Sequence, residues 1–532
     1  MKEVNNFRIT LGELLEGSGL SVDEGSKNEK IEISGINFDS RQINRGDLFV
    51  AVEGDYFDGH DYIQAAIHKG ASAVVGSKSI EKLGVPYIKT DNTRHALACL
   101  SAAFYRFPAR SLTIIAVTGT DGKTTTVNLI YKILLSCGIR AGMISTVNAV
   151  IGEDVVDTGF HVTTPEAPTI QKYLRKMVDA DLTHVVLEAT SHGLDQERVS
   201  ACEIDLAVFT NITHEHLDYH GDYRSYFNAK FRLIEELAKT YKKKTPSQKI
   251  AVINQDDISY SWFVDRLKKD HLDEIINPIS YGSQSENRIW YKDLKSNADG
   301  LQFKVMVDTR ELKVTSPLIG TYNVSNILAA MGAAIIGLRL EPEAVLNGIA
   351  SLDYVPGRME RIDLGQEFLA IVDFAHTPNA LRVALQTARN MTNKRIIVVF
   401  GSAGLRDRQK RRMMAEQSIE LADISIFTAE DPRTENLKDI LQEMANEADL
   451  HGGIQGQNYL VVEDRGEAIR QAIKMAQKDD LVMACGKGHE QSMCFGTTEF
   501  DWDDRTAMRA ALAELLDMPG PQMPYLPTQD KK

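Results

Sequence analysis

Cysteine is scarce in this chain, with five in 532 residues at positions 99, 137, 202, 485 and 494. Their number is odd and no Cys-x-x-Cys pair occurs, which argues against a disulfide framework and a cysteine zinc site. The pattern implies reduced thiols and hence a cytoplasmic protein. No apolar run approaches the ~18 residues of a membrane span. The segment Met1–Thr10 has no apolar core of a signal peptide. Basic residues are in deficit: 60 Lys and Arg stand against 74 Asp and Glu, a net charge of −14. That balance disfavours nucleic acid as the main partner but leaves room for a local basic pocket. Internal repeats and long low-complexity segments are absent, and a monomer is expected.

What is present is the composition of a folded globular protein, 43% hydrophobic and 25% charged. The chain is too long for one core, and three α/β regions are expected. Residues 1–109 mix short strands and helices, with candidate strands at Ile31–Phe38, Asp47–Val52 and Ala73–Val75 and a helix at Ile63–Lys69. Residues 110–354 alternate strands and helices, including His184–Glu188 and Leu206–Asn211, which predicts a mostly parallel sheet. The turn-rich Tyr354–Arg358 marks a boundary. From 355 to 532 the alternation resumes at Phe368–Asp373, Arg395–Phe400, Ile424–Thr428 and Asp480–Cys485. The Pro-rich tail from Pro519 to Lys532 reads as mobile.

The most informative segment is Thr118–Thr126. It follows the apolar run Leu112–Val117, a buried strand, and precedes Val127–Cys137, whose apolar residues have helical spacing. Gly138 is the expected stop. A strand, a Gly122-Lys123-Thr124 turn and a helix build a phosphate cradle from backbone N–H groups, the Lys123 charge and a Thr124 hydroxyl able to reach a metal. The common P-loop pattern requires glycine at 117, where this chain has valine, so the loop is a variant for a nucleoside triphosphate. The alternative is a Gly-rich turn in an ordinary α/β unit.

Four clusters follow. Glu188, at a strand end downstream of the loop, is where a magnesium-ligating carboxylate belongs; the alternative is a solvated acid. His214, His216 and His220 lie within Thr210–Gly221, but their i, i+2, i+6 spacing is not that of a helical zinc pair. Lys230 stands in an amphipathic helix, where a lysine is ordinarily on the solvated face. Asp373–Pro378, Glu430–Arg433 and Gly486–Glu490 are loop segments that, taken singly, are no more than turns or caps.

The order and content of these segments resemble the Mur ligase family over nearly the whole chain, most closely its tripeptide-forming branch. The branch adds a diamino acid as the third residue of the peptidoglycan stem. The resemblance rests on Asp39-Ser-Arg41, Gly46–Gly54, Asp58-Gly-His60 and the motifs above. It implies a uridine-binding N-terminal domain, a central ATPase domain with a P-loop-like parallel sheet, and a Rossmann-like C-terminal domain. It implies that Ser40 and Arg41 hold the UDP part of the substrate, and that Thr163, Thr164, Ser191 and Arg198 hold the muramoyl-dipeptide. ATP falls to Gly119, Thr120, Asp121 (asparagine is more usual), Gly122, Lys123, Thr124 and Thr125. Asn323 and Asn326 match adenine contacts, and Arg358 and Asp373 match nucleotide-side contacts. Thr124, Glu188 and His216 match metal ligands for magnesium, of which two ions are expected. Lys230 matches a lysine that becomes a carbamate and holds the second.

The implied reaction is ATP-dependent ligation to UDP-N-acetylmuramoyl-L-alanyl-D-glutamate through an acyl phosphate. The work of the protein is positioning and charge neutralisation. His376 or a phosphate oxygen is the candidate base. Glu430, Asp431, Arg433, Gly486 and Glu490 match the amino-acid pocket. Arg433 suits a second carboxylate, which favours meso-diaminopimelate. Asp431, in place of a usual asparagine, adds a negative charge that favours L-lysine or L-ornithine. The alternatives are a folylpolyglutamate synthase-like ligase, which the Asp39-Ser-Arg41 region opposes, and a non-catalytic nucleotide-binding scaffold. A scaffold would show erosion at Lys123, Glu188, His216 or Lys230, and all four are present.

Overall fold

The structure, a computed structural model, describes residues 7–20, 30–54, 57–80, 83–156, 164–213, 217–241, 243, 248–297 and 299–531. Three larger sheets carry it. In the first, β1 (Gly35–Asn37), β2 (Asp47–Val50), β3 (Ala73–Gly76) and β4 (Tyr87–Lys89) pair in chain order, all parallel. Helix α1 (Thr93–Phe104) starts where the Asn92 side chain accepts the His95 N–H, and it buries Leu97, Leu100 and Phe104 against this sheet.

The central sheet begins with β5 (Thr113–Thr118), helix α2 (Lys123–Ser136), β6 (Ala141–Ile144), β7 (Ala149–Ile151), β8 (Asp154–Val156) and β9 (His184–Glu188). It continues through helix α3 (Ser191–Asp195), β10 (Leu206–Phe209), helix α4 (Tyr223–Lys239), β11 (Lys249–Asn254) and β12 (Ile276–Gly282). It ends with β13 (Ile289–Asn297), β14 (Gly300–Val307) and β15 (Arg310–Ser316), before helix α5 (Asn323–Met331). The strand order is β8-β7-β6-β9-β5-β10-β11-β12-β13-β14-β15, parallel from β6 to β13. Ile114–Val117 are fully buried because helices cover both faces of β5. The antiparallel wing β13–β15 departs from the expected βα alternation. Its last strand alternates buried and exposed residues, as a strand with one wet face does.

The third sheet contains β16 (Glu360–Arg361), β17 (Leu369–Asp373), β18 (Ile396–Phe400), β19 (Ile424–Phe427), β20 (Tyr459–Val461) and β21 (Leu481–Cys485). Their order is β16-β17-β21-β18-β19-β20, parallel except for the short first strand. The C-terminal tail, expected to be mobile, is instead docked. Leu526 is fully buried in the third core, and the Thr528 hydroxyl donates to Asp464 at 2.7 Å. No helix among the described residues is long and apolar enough to cross a membrane.

One buried ion pair fixes the ends of two strands in this third sheet. Arg465 and Asp504 have fully buried side chains and meet through two 2.7 Å hydrogen bonds. The same guanidinium donates to the carbonyls of Ala429 and Cys485, the residues before Glu430 and Gly486. Trp502 Nε1 donates to Asp504 at 2.8 Å. Arg465→Met strands Asp504 as a buried, half-satisfied carboxylate and should cost about 3–5 kcal/mol. Urea unfolding followed by tryptophan fluorescence measures this; an unchanged midpoint would refute the anchoring role.

Candidate active site

The loop after β5 is built on glycines that nothing larger could replace. Gly119 has φ +154°, and a Cβ there would lie 1.8 Å from Thr210 Oγ1. Gly122 has φ +80°, and its Cβ would lie 2.1 Å from Asn326 Oδ1. The loop peptides are tied to the end of β10. Thr120 N–H donates to Asn211 O and Asp121 N–H to Asn211 Oδ1, both at 2.8 Å, while Thr210 Oγ1 donates to Asp121 O at 2.6 Å. Gly122 is the N-cap of α2, and no side chain caps the helix. The first-turn N–H groups therefore face the loop, which is the geometry of an anion seat.

Lys123 folds back to donate to Thr120 O at 2.7 Å. Lys230, only 1% exposed, donates to Gly119 O at 2.6 Å, and its ammonium lies 4.6 Å from the Tyr226 ring centre. The helical pattern suggested a solvated lysine; the structure turns this one inward, under the loop. Glu188, also 1% exposed, accepts from Thr124 Oγ1 at 3.1 and 3.0 Å and from Thr146 N–H at 3.0 Å. A carboxylate and a hydroxyl in contact beside an anion seat are the hard oxygen donors that magnesium takes. The lysine ammonium offers a metal nothing in this form. Thr163 and His216 lie outside the described residues.

Thr164, Ser191 and Arg198 form an adjoining group. Thr164 Oγ1 donates to Glu188 O at 3.1 Å, Ser191 opens α3, and Arg198 donates to Thr164 O at 2.7 Å and pairs with Glu166 at 2.8 Å. Asn326 donates to Asn323 Oδ1 at 2.9 Å, which places both on the first turn of α5 above Gly122. Thr125 is buried in the first turn of α2. Ser40 and Arg41 stand apart: Arg41 is held by both oxygens of Asp39 within the N-terminal region.

From the third sheet, Asp373 accepts the N–H groups of Met359 and Ala375 at 2.7 and 2.9 Å. Burial pushes its carboxyl up, against the pull of Arg358. The Arg358 guanidinium stacks 4.1 Å from the Phe374 ring centre, and its field reaches Glu188 and Asp121. Arg358 thus joins the third sheet to the loop. His376 Nδ1 lies 2.9 Å from Phe374 O, which makes Nδ1 the protonated nitrogen and leaves the Nε2 lone pair as a proton acceptor in the neutral ring.

Behind Asp373 sits a second cluster. Lys487, fully buried, bridges Asp431 at 2.9 Å and Glu490 at 2.5 Å. Asp431 also accepts the Cys494 N–H at 2.8 Å. Asp431 is thus paired with Lys487 and not with Arg433, and because the one ammonium also serves Glu490, the charge expected from Asp431 is shared between two acids on a single cation. Arg433, half-buried with φ 54°, has no ion pair among the described residues. Glu430 is 6% exposed, its Oε2 has no hydrogen-bond partner among the described residues, and Gly486 lacks the Cβ that would lie 2.0 Å from that oxygen. Burial pushes Glu430 up to about 7, although Arg465 and Lys487 pull it down. His489 Nδ1 is likewise buried and without a hydrogen-bond partner among the described residues, and burial followed by Arg358 drives the ring towards its neutral form. Reading single motifs missed the roles of Asn211, Lys487 and His489, although all three lie in segments already singled out, Thr210–Gly221 and Gly486–Glu490.

Three family models match the chain: the Mur ligase family, catalytic domain at residues 32–105, the Mur ligase middle domain at 117–334, and the Mur ligase, glutamate ligase domain at 357–488. A UDP-N-acetylmuramoyl-L-alanyl-D-glutamate–2,6-diaminopimelate ligase of Oceanobacillus iheyensis is 40% identical over 91% of this chain and 96% of its own length. A UDP-N-acetylmuramyl-tripeptide synthetase of a Roseiflexus species is 41% identical over 91% of this chain and 95% of its own. A solved structure of a UDP-N-acetylmuramoyl-L-alanyl-D-glutamate–2,6-diaminopimelate ligase superposes with a TM-score of 0.65 at 29% identity. It covers 96% of this chain and 100% of that one.

The raised Glu430 makes a pH prediction. Its folded value, about 7, exceeds the ordinary 4.5, so the folded state holds the extra proton between those limits. Stability from this group is full below about 4.5 and is lost as pH rises through about 7. Glu430→Gln should remove that fall, a difference on the order of 2–3 kcal/mol across the window. Urea unfolding of both proteins across that range measures it, and parallel pH profiles would contradict it.

Proposed function

The chain belongs to the Mur ligase family, and we propose from that premise that it adds meso-diaminopimelate to UDP-N-acetylmuramoyl-L-alanyl-D-glutamate with cleavage of ATP. The single observation that carries the choice of amino acid is the pairing pattern around Lys487. With Asp431 spent on that lysine, Arg433 is the cation left to receive a carboxylate. Asp431 and Glu490, two acids on the single Lys487 ammonium, leave negative charge for an incoming ammonium, and Glu430 Oε2 offers it a hydrogen-bond acceptor. A distal centre with one ammonium and one carboxylate satisfies both; lysine and ornithine satisfy only the acids.

The units are proposed as 1–109 for the uridine end, 110–354 for ATP and 355–532 for the amino acid. The family match at residues 32–105 supports a uridine-binding unit over a folylpolyglutamate synthase-like enzyme. The intact Lys123, Glu188 and Lys230 oppose an inert scaffold.

In the mechanism we infer, the N–H groups at the start of α2 seat the nucleotide phosphates. Lys123 exchanges the Thr120 carbonyl for a phosphate oxygen. Arg198 and Thr164 hold the dipeptide so that its D-glutamyl carboxylate faces the γ-phosphate in line. That carboxylate oxygen bonds to phosphorus and ADP departs, leaving an acyl phosphate. The amine of the incoming amino acid, its proton taken by His376 Nε2 or a phosphate oxygen, then bonds to the carbonyl carbon and phosphate leaves. Magnesium held by Thr124 and Glu188, with His216 as a further ligand, would offset the negative charge of the phosphates. Lys230 joins that set only as a carbamate, which replaces a buried ammonium by an anion.

Two outcomes test this reading. The kcat/KM for meso-diaminopimelate should exceed those for L-lysine and L-ornithine, and Arg433→Ala should lower it about 10- to 100-fold, the worth of a charge-assisted clamp. A tenfold preference of the intact enzyme for lysine or ornithine would overturn the assignment. Lys230→Ala should nearly abolish turnover, with partial rescue by small carboxylic acids; a fully active variant would exclude the carbamate.

A further inference from the structure

A second group of reactive side chains borders this site on the far side of Arg198, where the first sheet's helix meets the central region. Asn92, the N-cap of α1, shares one face with His95 and Cys99, at the helical i, i+3 and i+7 spacing. Cys99 Sγ lies 3.4 Å from His95 Nε2. His95 Nδ1 lies 2.9 Å from Glu197 Oε2, and Asn92 Nδ2 donates to the other oxygen of Glu197 at 2.7 Å. Glu197 comes from the turn after α3, adjacent to Arg198, and holds a left-handed φ of 54°.

We propose that Cys99 is a thiol-modification site, with His95 as its acid–base partner and Glu197 as the group that orients the imidazole, and that its reagents are low-molecular-weight disulfides. The order sulfur, imidazole, carboxylate is that of an activated nucleophile with its base and orienting group. The Glu197 bond to Nδ1 turns Nε2 towards the sulfur. Hydrogen bonding to Cys99 first and to Glu197 second pushes His95 up to about 10. The charged groups that face this pair from other elements are Glu197 itself and, more distantly, Glu236 and Arg232 on α4.

The other thiols are built differently. Cys202 and Cys485 are buried, and burial pushes all four of Cys137, Cys202, Cys485 and Cys494 up. Among the described residues only Cys99 has an imidazole partner, and it is partly open to solvent, as is the His95 ring at 46%. In the reaction, the Cys99 thiolate attacks one sulfur of the disulfide. The disulfide bond breaks, a new sulfur–sulfur bond forms to Cys99, and the departing thiolate takes the proton carried by His95. A free thiol reverses the step.

The test treats the full-length protein with glutathione disulfide at neutral pH and follows the adduct at each of the five cysteines by peptide mass spectrometry. Cys99 should react at least about tenfold faster than Cys137 or Cys494, and His95→Gln should bring it down to their rate. Cys99 reacting no faster than those two, or equally fast in folded His95→Gln, would overturn the proposal. Glu197→Gln serves if the histidine variant does not fold. It keeps a hydrogen-bonding group beside Asn92 but removes the charge behind the imidazole. It should slow Cys99 severalfold, and an unchanged rate would likewise overturn the proposal. None of these readouts depends on ligase activity.

Discussion

The loop between β5 and α2 is held by peptide groups that have nowhere else to go. Buried N–H and C=O groups must find partners, and here the end of β10 supplies them through Thr210 and the backbone and side chain of Asn211. Gly119 passes so close to Thr210 that only a hydrogen fits at its Cα. The carbonyl of the same glycine accepts from Lys230, which explains how a lysine can lie 1% exposed beneath the loop. A buried ammonium without such a partner would be expelled or lose its proton. These contacts fix the start of α2 and hence the direction of its unpaired N–H groups. They also place α4, whose residue 230 reaches the loop. The loop is therefore shaped in advance of any nucleotide, and binding energy need not be spent on ordering it.

The second half of the site has a different logic. Its charges are arranged in pairs that leave a small, chosen remainder. Arg465 is satisfied by Asp504, and Lys487 by Asp431 and Glu490. Among the described residues, what remains is one half-buried guanidinium, Arg433, and the buried carboxyl of Glu430 with an unpartnered oxygen. Two segments tie this remainder to the start of the third sheet. Asp373 accepts from Met359 and receives the Gly486 N–H through its own carbonyl. Gly357, with φ +64°, lies so near the His489 backbone that a Cβ would come within 2.2 Å of it.

Much of the fold was legible in the sequence for a simple reason. Parallel strands buried on both faces read as continuous apolar runs, as at Leu112–Val117 and Arg395–Phe400, and the helices between them keep a 3.6-residue period. Strands with one wet face carry a weaker signal, and the β13–β15 wing went unread. The docking of Leu526 was hidden by the prolines around it, which mark an irregular path without saying whether it is packed. In the site, glycines and motif lysines stood out because their spacing is unusual. Burial did not: nothing local distinguishes Lys230 from a surface lysine, and only the tertiary course of α4 under the loop does. The partner of Asp431 was equally out of reach, since Lys487 lies 56 residues away in the chain.

At the centre of this account is the claim that one site passes the terminal phosphate of ATP through the D-glutamyl carboxylate before the amine arrives. The most direct measurement labels both oxygens of the γ-carboxylate of UDP-N-acetylmuramoyl-L-alanyl-D-glutamate with a heavy isotope. The phosphate released during turnover with ATP and meso-diaminopimelate is then analysed by mass spectrometry. One heavy oxygen is expected in each phosphate formed, because the acyl phosphate breaks at the carbonyl carbon and leaves the bridging oxygen on phosphorus. Unlabelled phosphate, formed in step with the tripeptide product, would contradict it.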